Sequence, residues 1–68
     1  MKETVIRIEG MTCEGCVRSV TKALEQVDGV SRVQVSLERA SATVAYQEEN
    51  TSMEALQAAI RLAGFETP

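Results

Sequence analysis

Hydrophobic and polar positions along the chain alternate between a period of two and a period near 3.6. From Thr4 to Glu9, Ile6 and Ile8 fall on one face and Arg7 and Glu9 on the other, the pattern of a half-buried strand. Gly10-Met11-Thr12-Cys13-Glu14-Gly15 breaks the alternation as a short loop bounded by glycines. From Cys16 onward the period becomes helical, with Val17, Val20, Leu24 and Val27 on one stripe and Arg18, Lys22, Glu25 and Gln26 largely opposite. Asp28-Gly29 ends that helix, and Gly29 is expected at the left-handed position just past it. Val30 to Leu37 returns to a period of two, with Val33, Val35 and Leu37 inward. After Glu38-Arg39, the stretch Ala40 to Tyr46 places Ala42, Val44 and Tyr46 on one face, so the pair reads as an antiparallel hairpin whose turn type stays open.

Gln47 to Asn50 is a solvated loop, and Thr51-Ser52-Met53-Glu54 reads as a capping box with Thr51 as the N-cap. A second helix follows, with Met53, Leu56, Ile60 and Ala63 on one stripe and Gly64 closing it. Phe65-Glu66-Thr67-Pro68 holds a truncated last strand, with Pro68 at its edge or end. The order strand, helix, strand, strand, helix, strand predicts an α+β fold. Each helix has one apolar stripe and each long strand one apolar face. All are buried together when two helices cover one face of a four-stranded antiparallel sheet, the ferredoxin-like βαββαβ sandwich.

Length and composition narrow the function. Sixty-eight residues make one domain, spanning 1–68. A chain of that size buries only roughly 60% of its unfolded surface. A net charge of −3, with Tyr46 and Phe65 the only aromatics, speaks against a nucleic-acid binder. No apolar run approaches the roughly 20 residues that span a bilayer, so no membrane insertion is expected. The N-terminus alternates charged and apolar residues, unlike a secretory leader. The expectation is a cytoplasmic protein, or a cytoplasmic piece of a larger one; Met1 and the domain-sized length favour the former.

Two cysteines separated by two residues do not staple a fold; in a reducing compartment they are metal ligands or a redox pair. Cys13 and Cys16 sit where the first strand hands over to the first helix. There the positive end of the helix dipole and free backbone N–H groups favour thiolates. The chain has no histidine and no third cysteine. A four-ligand structural zinc site is therefore out of reach of one chain, and no oxygen cage suits calcium or magnesium. Two soft thiolates suit Cu(I), and by the same softness Ag(I) or Hg(II). The low ligand count leaves a flank where a partner's thiolate can enter.

Gly10-Met11-Thr12-Cys13-Glu14-Gly15-Cys16 resembles the GMTCxxC signature of heavy-metal-associated domains, which include copper chaperones and the N-terminal domains of copper-transporting P-type ATPases. The resemblance extends through Val27-Asp28-Gly29-Val30, the strand with Ala42 and Val44, and Ala63-Gly64-Phe65. It implies a ferredoxin-like fold, no enzymatic activity, and metal ligation by Cys13 and Cys16. The implied role is carriage of Cu(I) and its transfer to a metal-transporting P-type ATPase or that transporter's metal-binding domain. Relatives that export zinc often place an acidic residue before the first cysteine. Thr12 stands there instead, which favours a monovalent ion over Zn(II), although Glu14 between the cysteines is a candidate oxygen ligand. Phe65 resembles the ATPase-attached domains, where soluble chaperones more often have tyrosine or lysine.

Other readings stay open beside this one. They are a mercury-binding domain, a regulatory metal-binding domain of a transporter and, in a different class, a CxxC thiol oxidoreductase. Without metal the chain is expected to be a monomer, with a metal-bridged dimer as the other arrangement. Met11 is read as packing rather than as a ligand, and Phe65 as packing beneath the metal loop. Arg18 and Lys22 either dock an acidic partner surface or only solvate the helix. Glu48, Glu49 and Glu54 are read as loop solvation and capping.

Overall fold

The structure is a computed structural model that describes residues 2–67. Its elements in chain order are β1 (Lys2–Arg7), α1 (Glu14–Glu25), β2 (Val30–Ser36), β3 (Ser41–Tyr46) and α2 (Met53–Leu62). The strands form an antiparallel sheet in the order β1-β3-β2. In register, Ile6 faces Ala42 and Ala42 faces Val35, while Thr4 faces Val44 and Val44 faces Val33. That row system places Ile6, Val33, Val35, Ala42 and Val44 on one face, as their alternation requires. Val20 and Leu24 of α1 and Leu56 and Ile60 of α2 pack onto it, all four with no exposed surface. Val5, on the opposite face of the sheet, is 62% exposed, so the helices cover one face only.

The fourth strand is reduced to a single bridge among the described residues, Glu9 with Glu66, held by two backbone hydrogen bonds of 2.7 and 3.1 Å. The residues before it are engaged elsewhere. Gly64 (φ +98°) donates to the Arg61 carbonyl and Phe65 to the Ile60 carbonyl. That pair of bonds is a Schellman ending, in which Gly64 takes the left-handed position that a side chain disfavours. The expected edge position of Pro68 lies outside the described residues.

Several boundaries differ from the sequence pattern. Leu37, expected inward at the end of the second strand, lies in the turn beyond β2 and is 37% exposed, because the chain leaves the extended conformation after Ser36. Helix α1 starts at Glu14, two residues before the expected Cys16, because Cys13 is its N-cap. It ends with Gln26 as C-cap, so Gly29 (φ +91°) shapes the turn into β2 rather than ending the helix. The N-cap of α2 is Ser52, whose hydroxyl accepts from the Ala55 N–H at 3.4 Å, and not Thr51. The Thr51 N–H donates to the Gln47 carbonyl, which holds that residue in the preceding loop. Glu54 thereby loses the reciprocal capping position, but keeps its charge in the first turn, where the helix dipole favours it. The hairpin turn left open by the sequence runs over Leu37–Ala40, closed by the Ala40 N–H on the Leu37 carbonyl at 3.2 Å.

Candidate metal centre

The loop between β1 and α1 is held at both ends. On the strand side, Glu9 is bridged to Glu66, and Gly10 (φ +101°) turns the chain out of the sheet. A β-carbon at Gly10 would lie 3.6 Å from the Phe65 ring, so Phe65 packs beneath the loop, as expected. The Schellman ending of α2 thus delivers Phe65 under Gly10 and Glu66 onto Glu9. Met11 packs against the hydrophobic core, which makes it a structural anchor of the loop. On the helix side, the Cys13 carbonyl accepts from the Cys16 N–H at 3.0 Å and the Val17 N–H at 3.3 Å, starting α1.

Cys13 occupies the N-cap in extended backbone, yet its side chain makes no capping hydrogen bond. Its Sγ lies 3.7 Å from Cys16 Sγ, and both cysteines are free thiols, Cys13 exposed and Cys16 half-buried. A disulfide needs sulfurs at about 2.05 Å. Gly15 lies beside the pair: a β-carbon there would stand 3.6 Å from Cys13 Sγ, an ordinary contact. The Cys16 thiol is lowered from 9.0 to about 7. The largest cause is hydrogen bonding from the Thr12 backbone, followed by the Cys13 side chain and backbone; burial opposes the shift. The Thr12 hydroxyl, 3.9 Å from Cys16 Sγ, adds to it. Sequence reasoning weighed Thr12 only for the acidic residue it replaces. The signal for its real contact was the four-residue spacing to Cys16.

The sulfur separation defines what the pair can hold. With a metal–sulfur bond of about 2.3 Å, two ligands stand about 3.7–3.8 Å apart in a tetrahedral site, about 4.0 Å apart in a trigonal one and about 4.6 Å apart in a linear one. The thiols are therefore set near the bent arrangements, and an opening of a few tenths of an ångström accommodates a trigonal ion. Among the described residues no group of three or more Cys, His, Asp or Glu gathers. Glu14 is not brought to the sulfurs; it lines a groove with Val17, Arg18, Val35 and Leu37. Arg18 and Lys22 are exposed on α1, as expected. No helix among the described residues is long and apolar enough to cross a membrane.

Comparison with known proteins agrees with this geometry. Residues 5–66 match the heavy-metal-associated domain family. The chain is 46% identical over 63 residues to Copper-transporting ATPase 2 of Homo sapiens, covering 93% of the chain but only 4% of that protein. It is 32% identical over 66 residues to the copper chaperone CopZ of Bacillus subtilis (strain 168), covering 97% of the chain and 96% of the chaperone. Among solved structures, a copper binding domain from HMA7, a P-type ATPase, superposes with a TM-score of 0.98 at 34% identity, covering all of this chain and 92% of that one.

Proposed function

The chain belongs to the heavy-metal-associated domain family, and we propose that it binds one Cu(I) through the thiolates of Cys13 and Cys16 and hands it to a partner CxxC domain. The family and the copper-handling relatives make it a metal-binding domain and not an enzyme. The observation that carries the copper reading is the bare thiol pair: two soft donors side by side where the loop enters α1, Cys13 exposed and Cys16 half-buried, with no third Cys, His, Asp or Glu gathered beside them among the described residues. A soft monovalent ion accepts so few ligands, whereas zinc seeks four.

Transfer follows from the same openness. A partner thiolate approaches the exposed side of Cys13 and the ion becomes three-coordinate. One bond to this chain then breaks as a second partner bond forms. At no step is the ion free, and each sulfur released takes up a proton or returns to its hydrogen bonds. The partner of this reading is the metal-binding domain of a copper-transporting P-type ATPase, and the setting is a reducing, cytoplasmic one in which both thiols persist. Ag(I) and Hg(II) compete for the same sulfurs by softness.

The test is transfer itself. Cu(I)-loaded chain mixed with a metal-free CxxC domain of such an ATPase should show metal on both proteins within mixing time, through a complex that vanishes when the partner's cysteines are replaced. Retention of all copper by the loaded chain would contradict the carrier reading. A disulfide-exchange turnover by the metal-free chain would favour the oxidoreductase instead.

A further inference from the structure

We propose that the outward face of α2 is a self-association surface, on which the α2 helices of two copies of this chain pack antiparallel across a two-fold axis at Ala58. Leu56 and Ile60 hold α2 onto the sheet and have no exposed surface. At about 100° per residue, Ala58 points directly away from both. On that outward side stands Leu62, which is 89% exposed and the most exposed large hydrophobic among the described residues. Ala55 and Ala58 beside it are exposed as well, and so are Glu54 in the first turn and Arg61 in the last. All five residues lie within Met53–Leu62, so their placement rests on regular helix.

This face fits a second copy of itself because its two flanks differ. Measured around the helix from Ala58, Leu62 and Ala55 lie about 40° and 60° to one side, and Glu54 and Arg61 about 40° and 60° to the other. Along the helix, Leu62 and Arg61 stand about 6 and 4.5 Å beyond Ala58, and Glu54 and Ala55 about 6 and 4.5 Å before it. A two-fold axis perpendicular to the helix pair keeps each flank on its own side and reverses direction along it. Leu62 therefore lands on Ala55 of the other copy, and Glu54 beside Arg61, each in both directions and within about 1.5 Å of the same height. Ala58 meets Ala58 on the axis, where the small side chains let the helices approach to about 8 Å. Other arrangements lose the match. An axis at Ala55 sets Glu54 beside Glu54 and carries Leu62 past the start of the other helix. A parallel pair sets Leu62 against Arg61 and Glu54 against Ala55. The helix dipole accounts for an acid in the first turn and a base in the last, but not for their sharing one flank. This dimer departs from the monomer expected of the metal-free chain. It takes nothing from Cys13 or Cys16, which stand at the start of α1.

The test uses the reduced, metal-free 68-residue chain. Sedimentation across the micromolar-to-millimolar range should show a monomer–dimer equilibrium. Leu62→Glu should weaken the dimer at least about a hundredfold, since it removes an apolar contact from both copies. Glu54→Arg and Arg61→Glu each place two like-charged pairs across the axis, and each should weaken it roughly tenfold. Mixed in equal amounts, these two charge variants form a heterodimer in which both pairs are again opposite in sign. Association should then return to within about threefold of the parent chain. All three positions are exposed, and recovery on mixing itself requires both variants to be folded. A chain that remains monomeric at millimolar concentration overturns the proposal and leaves this face to a different partner. So does a dimer that Leu62→Glu leaves intact, one that forms only with metal, or charge variants of unaltered unfolding midpoint that associate no better mixed than apart.

Discussion

The two helices begin with nearly the same backbone and opposite side-chain chemistry. Cys13 before α1 has φ −156° and ψ 172°, and Ser52 before α2 has φ −142° and ψ 168°. Ser52 turns its hydroxyl onto the Ala55 N–H and closes the end of its helix. Cys13 leaves the N-terminus of α1 uncapped and directs its sulfur toward Cys16. A serine-type cap is worth about 1 kcal/mol. The first helix forgoes that stabilisation, and in exchange keeps a sulfur and an unsatisfied, positively polarised helix end available to an anionic two-thiolate complex. In a small domain with a modest core, one N-terminus contributes to stability and the other is given over to chemistry.

The largest effect expected on that contrast comes from removing a sulfur. Structural metal sites with four ligands bind with about 10–16 kcal/mol, so each ligand carries roughly 2.5–4 kcal/mol. Cys13→Ser and Cys16→Ser should therefore each weaken Cu(I) roughly a hundredfold to a thousandfold, read by competition with a chromophoric chelator. Near-native affinity in both would refute the two-thiolate site. Ser52→Ala should do the reverse, costing about 1 kcal/mol in denaturant unfolding while leaving Cu(I) affinity unchanged. The sharpest form of the comparison is Cys13→Ser in the metal-free chain. It gives α1 the kind of cap that α2 has, so it should raise stability by about 0.5–1 kcal/mol even as it abolishes tight binding.

The smallest effect is in pH dependence. The folded Cys16 thiol is lowered to about 7 from 9.0. The folded state therefore binds fewer protons than the unfolded state between those values. Its contribution to stability is fully present above pH 9 and is lost as pH falls through about 7. Alkylation of Cys16 should rise with a midpoint near 7. In Cys13→Ser the midpoint should move upward, because the thiol that helps hold Cys16 as a thiolate is gone. An unmoved midpoint would leave the shift to the backbones of Thr12 and Cys13 and the Thr12 hydroxyl.

Periodicity made the core legible. Val20, Leu24, Leu56 and Ile60 are buried where their spacing placed them, and Ile6, Ile8, Ala42, Val44 and Tyr46 fill the strand side. What the pattern could not fix were the ends. Thr51 and Ser52 are adjacent hydroxyls that both suit an N-cap, and the choice between them fell to a loop hydrogen bond from Thr51 to Gln47. The last strand shrank because Gly64 and Phe65 are committed to closing α2, a competition between two backbone patterns that composition does not resolve. At the thiol site the two cysteines stand together as their spacing required. The absence of Glu14 from the pair was not readable, because it depends on how the first turn of α1 faces β2.

The central claim is that this uncapped pair of thiols is a two-thiolate soft-metal site. It is tested most directly by anaerobic titration of the reduced chain with Cu(I) against a chromophoric chelator, with Zn(II) titrated in parallel. One tightly held Cu(I) per chain, with zinc weaker by several orders of magnitude, is the predicted result. Zinc that displaces Cu(I), or copper held no more tightly than by Cys13→Ser, would contradict it.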